Sequence, residues 1–204
     1  MGIQDLKPSK QIQGRWLAML EDGSILRVGE NEVIQFSLYR GKELDEGEAQ
    51  ALLASAHRSG LKEKAMGLLA RKPQSRKELE RRLSEWEATE EEIAEICGRL
   101  EELGFLDDCR YAAQVVRHFC AKGYGARKLR DELYRRGIPR ELWDEALEQA
   151  EDTQDAISAF LEKKLKGSQD PKDLKRACDA LARRGYSWTE IREGLRHYGA
   201  EIEE

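Results

Sequence analysis

Leu83, Leu133 and Leu181 lie 50 and 48 positions apart, and the chain repeats itself around each of them. Ten residues beyond each leucine stands a strong apolar residue, Ile93, Trp143 and Ile191. Four further on come Cys97, Leu147 and Leu195, and three more bring Leu100, Ala150 and Tyr198. That i, i+4, i+7 stripe is the mark of an amphipathic helix. A fixed period of this length means one supersecondary unit has been copied. Cys97 occupies a position that is leucine in the other two copies, which reads as a buried small hydrophobe rather than a reactive thiol.

Each anchor leucine ends a second helix, with Leu79, Leu129 and Ala177 one turn upstream. Ser75, Gly125 and the Asp170-Pro171 pair supply starting signals. Gly137 and Gly185 stand four residues after their leucines, where a left-handed residue would end the helix; the first copy has Glu87 there and reads as the least regular. A first helix precedes each of these, in "LKEKAMGLLAR", "CRYAAQVVRHF" and "DAISAFLEKKL". The chain is therefore expected to be mainly all-α, with three-helix units over 61–107, 108–152 and 153–204.

Residues 1–60 break the pattern. Two short apolar runs flank Asp22-Gly23, a hairpin turn signal, and a short helix is expected after them. "DEGEAQALLASAHRSG" reads as a helix leading into the repeats, bent or interrupted at Ser59-Gly60.

Little in the sequence suggests catalysis or a cofactor. No phosphate-cradling G-x-x-x-x-G-K-[ST] is present, and "GYGARK" does not match it. The paired carboxylates Asp107 and Asp108 stand at a loop-to-helix junction, where capping accounts for them. Four cysteines without a Cys-x-x-Cys pair and three histidines form no zinc spacing, although His118 and Cys120 make a lone His-x-Cys. The expectation is a cytosolic, non-enzymatic monomer with no cofactor, metal or membrane contact, since "WLAML" is far short of a span.

Charge is the informative feature. The net charge of -5 conceals a segregation that recurs in every copy. Segment 75–82 carries Arg76, Lys77, Arg81 and Arg82 against two acids, a net +2. Segment 125–137 carries Arg127, Lys128, Arg130, Arg135 and Arg136 against two, a net +3. Segment 172–184, with Lys172, Arg183 and Arg184 among its cations, is again +3. The third helices are the opposite, at -5 for 90–102 and 140–152 and -3 for 190–204. Each helix alone could simply be solvated. Repetition argues for a basic edge and an acidic edge, suited to a charged groove or to phosphates. Tyr124 and Tyr134 beside the basic helix could stack on bases or be buried in the unit.

The strings "SRKELERRL", "LEELGFLDDCRYA", "GARKLRDELYRRGI" and "YRGKELDE" together resemble the RecX family, bacterial modulators of the RecA recombinase. The resemblance implies three tandem three-helix repeats in an elongated, curved array. It also implies binding to the RecA filament on single-stranded DNA, with inhibition of ATP hydrolysis and strand exchange. A different reading is a helical DNA-binding module, with the basic helices meeting single- or double-stranded DNA. Sequence-specific readout is disfavoured, because asparagine is absent and glutamine scarce in the second helices of the repeats. A third reading is a helical-repeat scaffold for another protein.

Overall fold

The computed structural model describes residues 1–148 and 153–199. Three strands come first, β1 (Ile3–Pro8), β2 (Arg15–Leu20) and β3 (Ile25–Gly29), paired antiparallel in the order β1-β2-β3. The expected hairpin is β2–β3, with Trp16 opposite Val28 and Ala18 opposite Leu26. Asp22 Oδ1 accepts the Ser24 backbone N–H at 2.8 Å and Gly23 takes φ +82, the local chemistry that turns the chain there. Strand β1 adds a third strand to the expected hairpin. "IQDLKP" carries too few apolar residues to announce a strand, and it is held by pairing with β2 through a bulge between Ile3 and Asp5.

Helix α1 (Glu30–Gln35) follows, as expected, and then α2 (Glu46–Arg71), a continuous helix of 26 residues. No break occurs at Ser59-Gly60, so a boundary drawn between 60 and 61 falls inside a helix. Tertiary packing overrides the local signal. The buried Glu32 on α1 accepts hydrogen bonds from the Ser55 and Ser59 hydroxyls, which occupies the side chains that would otherwise compete with the helix backbone. Leu52 and Ala56 on α2 are buried with Ile3, Ala18, Leu20 and Val28 of the sheet, while Leu61 and Ala65 further along are buried at the start of the first repeat.

The remaining helices are α3 (Arg76–Glu85), α4 (Glu90–Glu102), α5 (Asp108–Cys120), α6 (Ala126–Arg135), α7 (Trp143–Glu148), α8 (Thr153–Leu165), α9 (Pro171–Arg183) and α10 (Trp188–Tyr198). A 3-10 turn at Arg140–Leu142 leads into α7. The anchor leucines Leu83, Leu133 and Leu181 are wholly buried, as is Cys97. The third-helix stripe is centred slightly differently from the sequence pattern. Ile96, Ala146 and Gly194 occupy one repeat position and are buried in every copy, whereas Ile93 and Trp143 are half-buried. Ala150 of the expected stripe lies outside the described residues.

Two compact units make up the chain. One holds Met1–Pro73 and Leu79–Phe105; the other holds Gln74–Glu78 and the chain from Leu106 onward. In the first, Lys62 Nζ reaches Glu95 at 2.7 Å and Lys64 lies 5.5 Å over the Trp86 ring. The second has two apolar clusters, one around Tyr111, Val116, Leu129 and Leu133, the other around Ile157, Leu161, Leu181 and Ile191.

The turns after the second helices share one backbone conformation. Gly137 and Gly185 take φ +65 and +93, and Glu87 takes φ +63 in the same place without the freedom of glycine. The first copy is therefore regular in backbone at the turn where its sequence departs.

Candidate functional site

The basic second helices meet end to end in the second unit. At the start of α6, the Gly125 N–H donates to the Arg184 carbonyl at 3.0 Å and the Arg127 N–H to the Gly185 carbonyl at 3.1 Å. Gly125 has no side chain to cap its helix, so the turn that ends α9 satisfies these otherwise orphaned donors. The approach is too close for larger residues. A Cβ on Gly185 would lie 2.5 Å from the Lys128 nitrogen, and one on Gly125 would lie 2.6 Å from the Gly185 carbonyl oxygen.

The same joint recurs one repeat earlier. The Ser75 hydroxyl donates to the Arg136 carbonyl, and a Cβ on Gly137 would lie 2.6 Å from Lys77 Cβ. Ser75 and Glu78 also bond reciprocally, each accepting the other's backbone N–H at 3.0 Å, the capping pair that begins α3. Asp107 and Asp108 are both capping groups. Asp107 accepts the Arg110 N–H of its own helix, and Asp108 accepts the Arg76 N–H of α3 at 2.8 Å.

These joints bring the cations of successive copies together. Lys77 sits against Arg136-Gly137, and Arg127 and Lys128 sit against Arg184-Gly185. Within the row the side chains divide into two classes. Lys128, Arg135 and Arg136 converge on Glu132, whose side chain is only 3% exposed, with Lys128 at 3.6 Å. Three cations around a buried carboxylate are a structural network, since leaving that charge unpaired would be costly. Arg136 and Arg184 each also cover a ring, Phe119 at 5.4 Å and Phe160 at 4.7 Å. Arg82 pairs with Glu85 at 2.7 Å on the surface of the first unit.

Arg81, Arg127, Arg130, Lys172 and Arg183 are exposed and make no ion pair among the described residues. Arg127, at the start of α6, stands where the helix backbone is already positive, and the first turn of α6 carries no acid. Helix stability favours anions there, by about 0.3–1 kcal/mol per charge. Arg127 is thus placed against the preference of its own helix.

The acidic helices are partly consumed internally. Glu95 is held below the ordinary carboxylate range, chiefly by the hydrogen bond from Lys62, and Glu92 faces His57 at 4.0 Å. Glu141, Asp144 and Glu148 are exposed; 149–152 and 200–204, which carry part of the expected acidic edge, lie outside the described residues. Tyr134 is 70% exposed, whereas Tyr124 is half-buried beside Phe119. Among the described residues no helix is long and apolar enough to cross a membrane, and no group of three His, Cys, Asp or Glu residues could hold a metal ion.

The joints have no local signal in the sequence. Gly137 and Gly185 read as helix stops alone, and nothing near them says that their turns meet Lys77 and Lys128 of the preceding copy.

Comparison with known proteins finds relatives of the chain. Residues 62–100 match the model of RecX, first three-helix domain, and residues 107–147 that of RecX, second three-helix domain. Regulatory protein RecX of Xanthomonas axonopodis pv. citri is 36% identical over 137 residues, covering 66% of this chain and 85% of that protein. The protein of the same name from Chromohalobacter salexigens is 35% identical over 135 residues, covering 65% and 89%. A crystal structure of regulatory protein RecX superposes with a TM-score of 0.71 at 22% identity, covering 97% of this chain and 100% of that one. RecX from Lactobacillus salivarius gives 0.66 at 21% identity, covering 70% and 97%. The two structures agree in fold.

Proposed function

The chain belongs to the RecX family of regulatory proteins, and from that premise we propose that it binds the RecA recombinase filament on single-stranded DNA and restrains it. It lowers the filament's ATP hydrolysis and strand exchange, and so modulates recombination and DNA repair, with no nucleotide hydrolysis of its own. The supporting observation is the row of second helices joined end to end, with exposed cations such as Arg127, Arg130, Lys172 and Arg183 free of ion pairs among the described residues. Arg127, set against the dipole of its own helix, costs the fold stability, and an anionic surface on a partner offsets that cost.

Co-sedimentation with RecA assembled on single-stranded DNA, with naked DNA as the parallel arm, tests the reading. Retention on the filament and weak retention on bare DNA, together with suppressed RecA ATPase, is the expected result. Equal retention on bare DNA favours a helical DNA-binding module instead. No effect of an excess of folded protein on RecA turnover removes the regulator reading.

A further inference from the structure

Beside the joint between the second and third repeats lies a cleft of about 980 Å³ that the basic row does not explain. It is lined by the end of α5 and the loop after it, by one face of α8, and by the turn that ends α9. Its size falls at the upper end of the range for small-molecule sites, about 300–1,000 Å³.

The charges that line it are unbalanced. Lys122, Lys163, Lys164 and Arg184 contribute four cations, against the single carboxylate of Asp155. Lys163 and Lys164 are exposed and pair with no carboxylate among the described residues; in the last turn of α8 they also complement the helix dipole. Arg184 is different, because it is already fixed. One guanidinium N–H donates to the Gly123 carbonyl at 3.4 Å, and Cζ stands over the Phe160 ring, 4.7 Å from its centre. A guanidinium has five N–H donors in a rigid fork, so most remain for a ligand, and one already immobilised loses little freedom on binding. A guanidinium with donors to spare can take a phosphate in two parallel hydrogen bonds. The same cleft has Tyr124 half-buried on its wall, an aromatic face beside the cations.

We propose that this cleft binds a free nucleoside polyphosphate, its phosphates held by Arg184, Lys163, Lys164 and Lys122 and its base against Tyr124. A nucleic-acid strand spreads its charge along a backbone and suits a row of cations, as the second helices provide. Here four cations line one cavity, with an excess of three positive charges that matches the phosphates of a nucleoside diphosphate. Absence of a phosphate-cradling loop makes this a binding site rather than a hydrolytic one. The inference is independent of any action on RecA.

Isothermal titration of the full chain with ADP, in low salt and without RecA, reads the site directly. Inorganic pyrophosphate and a short 5′-phosphorylated oligothymidylate serve as comparison ligands. ADP is expected to bind in a one-to-one complex, and the Lys163→Glu/Lys164→Glu variant to bind it at least about tenfold more weakly, the effect of losing charge-assisted contacts. Both positions are exposed, so circular dichroism should show the fold unchanged. Tyr124→Leu should weaken ADP but not pyrophosphate. Three results overturn the proposal: no heat with ADP, equal affinity for pyrophosphate and ADP, or oligonucleotide binding without ADP binding. Undiminished ADP binding by the folded double variant places the nucleotide elsewhere and overturns it as well.

Discussion

Glu87 and Gly185 occupy equivalent turns and show how one backbone conformation is bought differently by two residues. With φ +63, Glu87 is held in a left-handed conformation that costs an ordinary side chain about 1–2 kcal/mol. Replacing it by glycine removes that strain and adds freedom to the unfolded chain, which takes back about 0.4–1 kcal/mol. Glu87→Gly should therefore stabilise the protein by up to about 1 kcal/mol in urea unfolding. Gly185→Ala meets two obstacles, φ +93 and the Lys128 backbone nitrogen at 2.5 Å from the new methyl group. It should destabilise by more than about 2 kcal/mol, because backbone on both sides must move. If Gly185→Ala were neutral or stabilising, the joint would not be as tight as these distances require.

At the level of elements, α1 and α2 are tied through one acid. Burial of Glu32 works to raise its pKa, but hydrogen bonds from Ser59, Ser55 and the Gly29 N–H outweigh it and hold the group below its ordinary 4.5. A carboxyl whose folded pKa is depressed adds stability above its unfolded pKa and loses it as pH falls through the folded value. Glu32→Gln has no charge to lose. The parent should lose stability relative to this variant as pH drops below about 4.5, measured as the difference between their urea midpoints. A constant difference between neutral pH and pH 3 would mean that the Glu32 charge carries none of this linkage. The same bonds account for the continuity of α2 through Ser59-Gly60, which the dipeptide itself argues against.

For the molecule as a whole, the division of cations into paired and unpaired sets decides which variants report on a partner. Arg127→Glu with Arg130→Glu removes exposed charge from α6 and leaves Leu129 and Leu133 buried, so the fold should survive. Extending the reversal to Lys128 would set a second carboxylate beside the buried Glu132 and confuse folding with binding. The double variant should suppress RecA ATPase at least about tenfold less effectively than the parent at low salt. The gap should narrow as salt rises toward about 0.1 M and beyond, where charges more than roughly 10 Å apart are screened. A double variant that folds and suppresses as well as the parent across that range would show the exposed cations of α6 to be solvated surface. Reversing Glu141, Asp144 and Glu148 to lysine asks the same of the acidic face.

Periodicity determined most of the architecture. The spacing of Leu83, Leu133 and Leu181 was enough to find the second and third helices of every copy, and Asp22-Gly23 was enough for a hairpin, because both signals are local and repeat with the geometry of the backbone. The strings that resemble RecX were legible too, and the family comparisons agree with them. Strand β1, the unbroken α2 and the phase that buries Ile96, Ala146 and Gly194 were decided by tertiary structure, since each depends on what a distant segment offers: a strand edge, a carboxylate, a neighbouring helix. So did the sorting of the cations. Lys128 and Arg130 are two residues apart on one helix and look alike in the sequence, yet one faces a buried carboxylate and the other faces water. The composition of a segment sets its net charge, but only the fold sets which of those charges already has a partner.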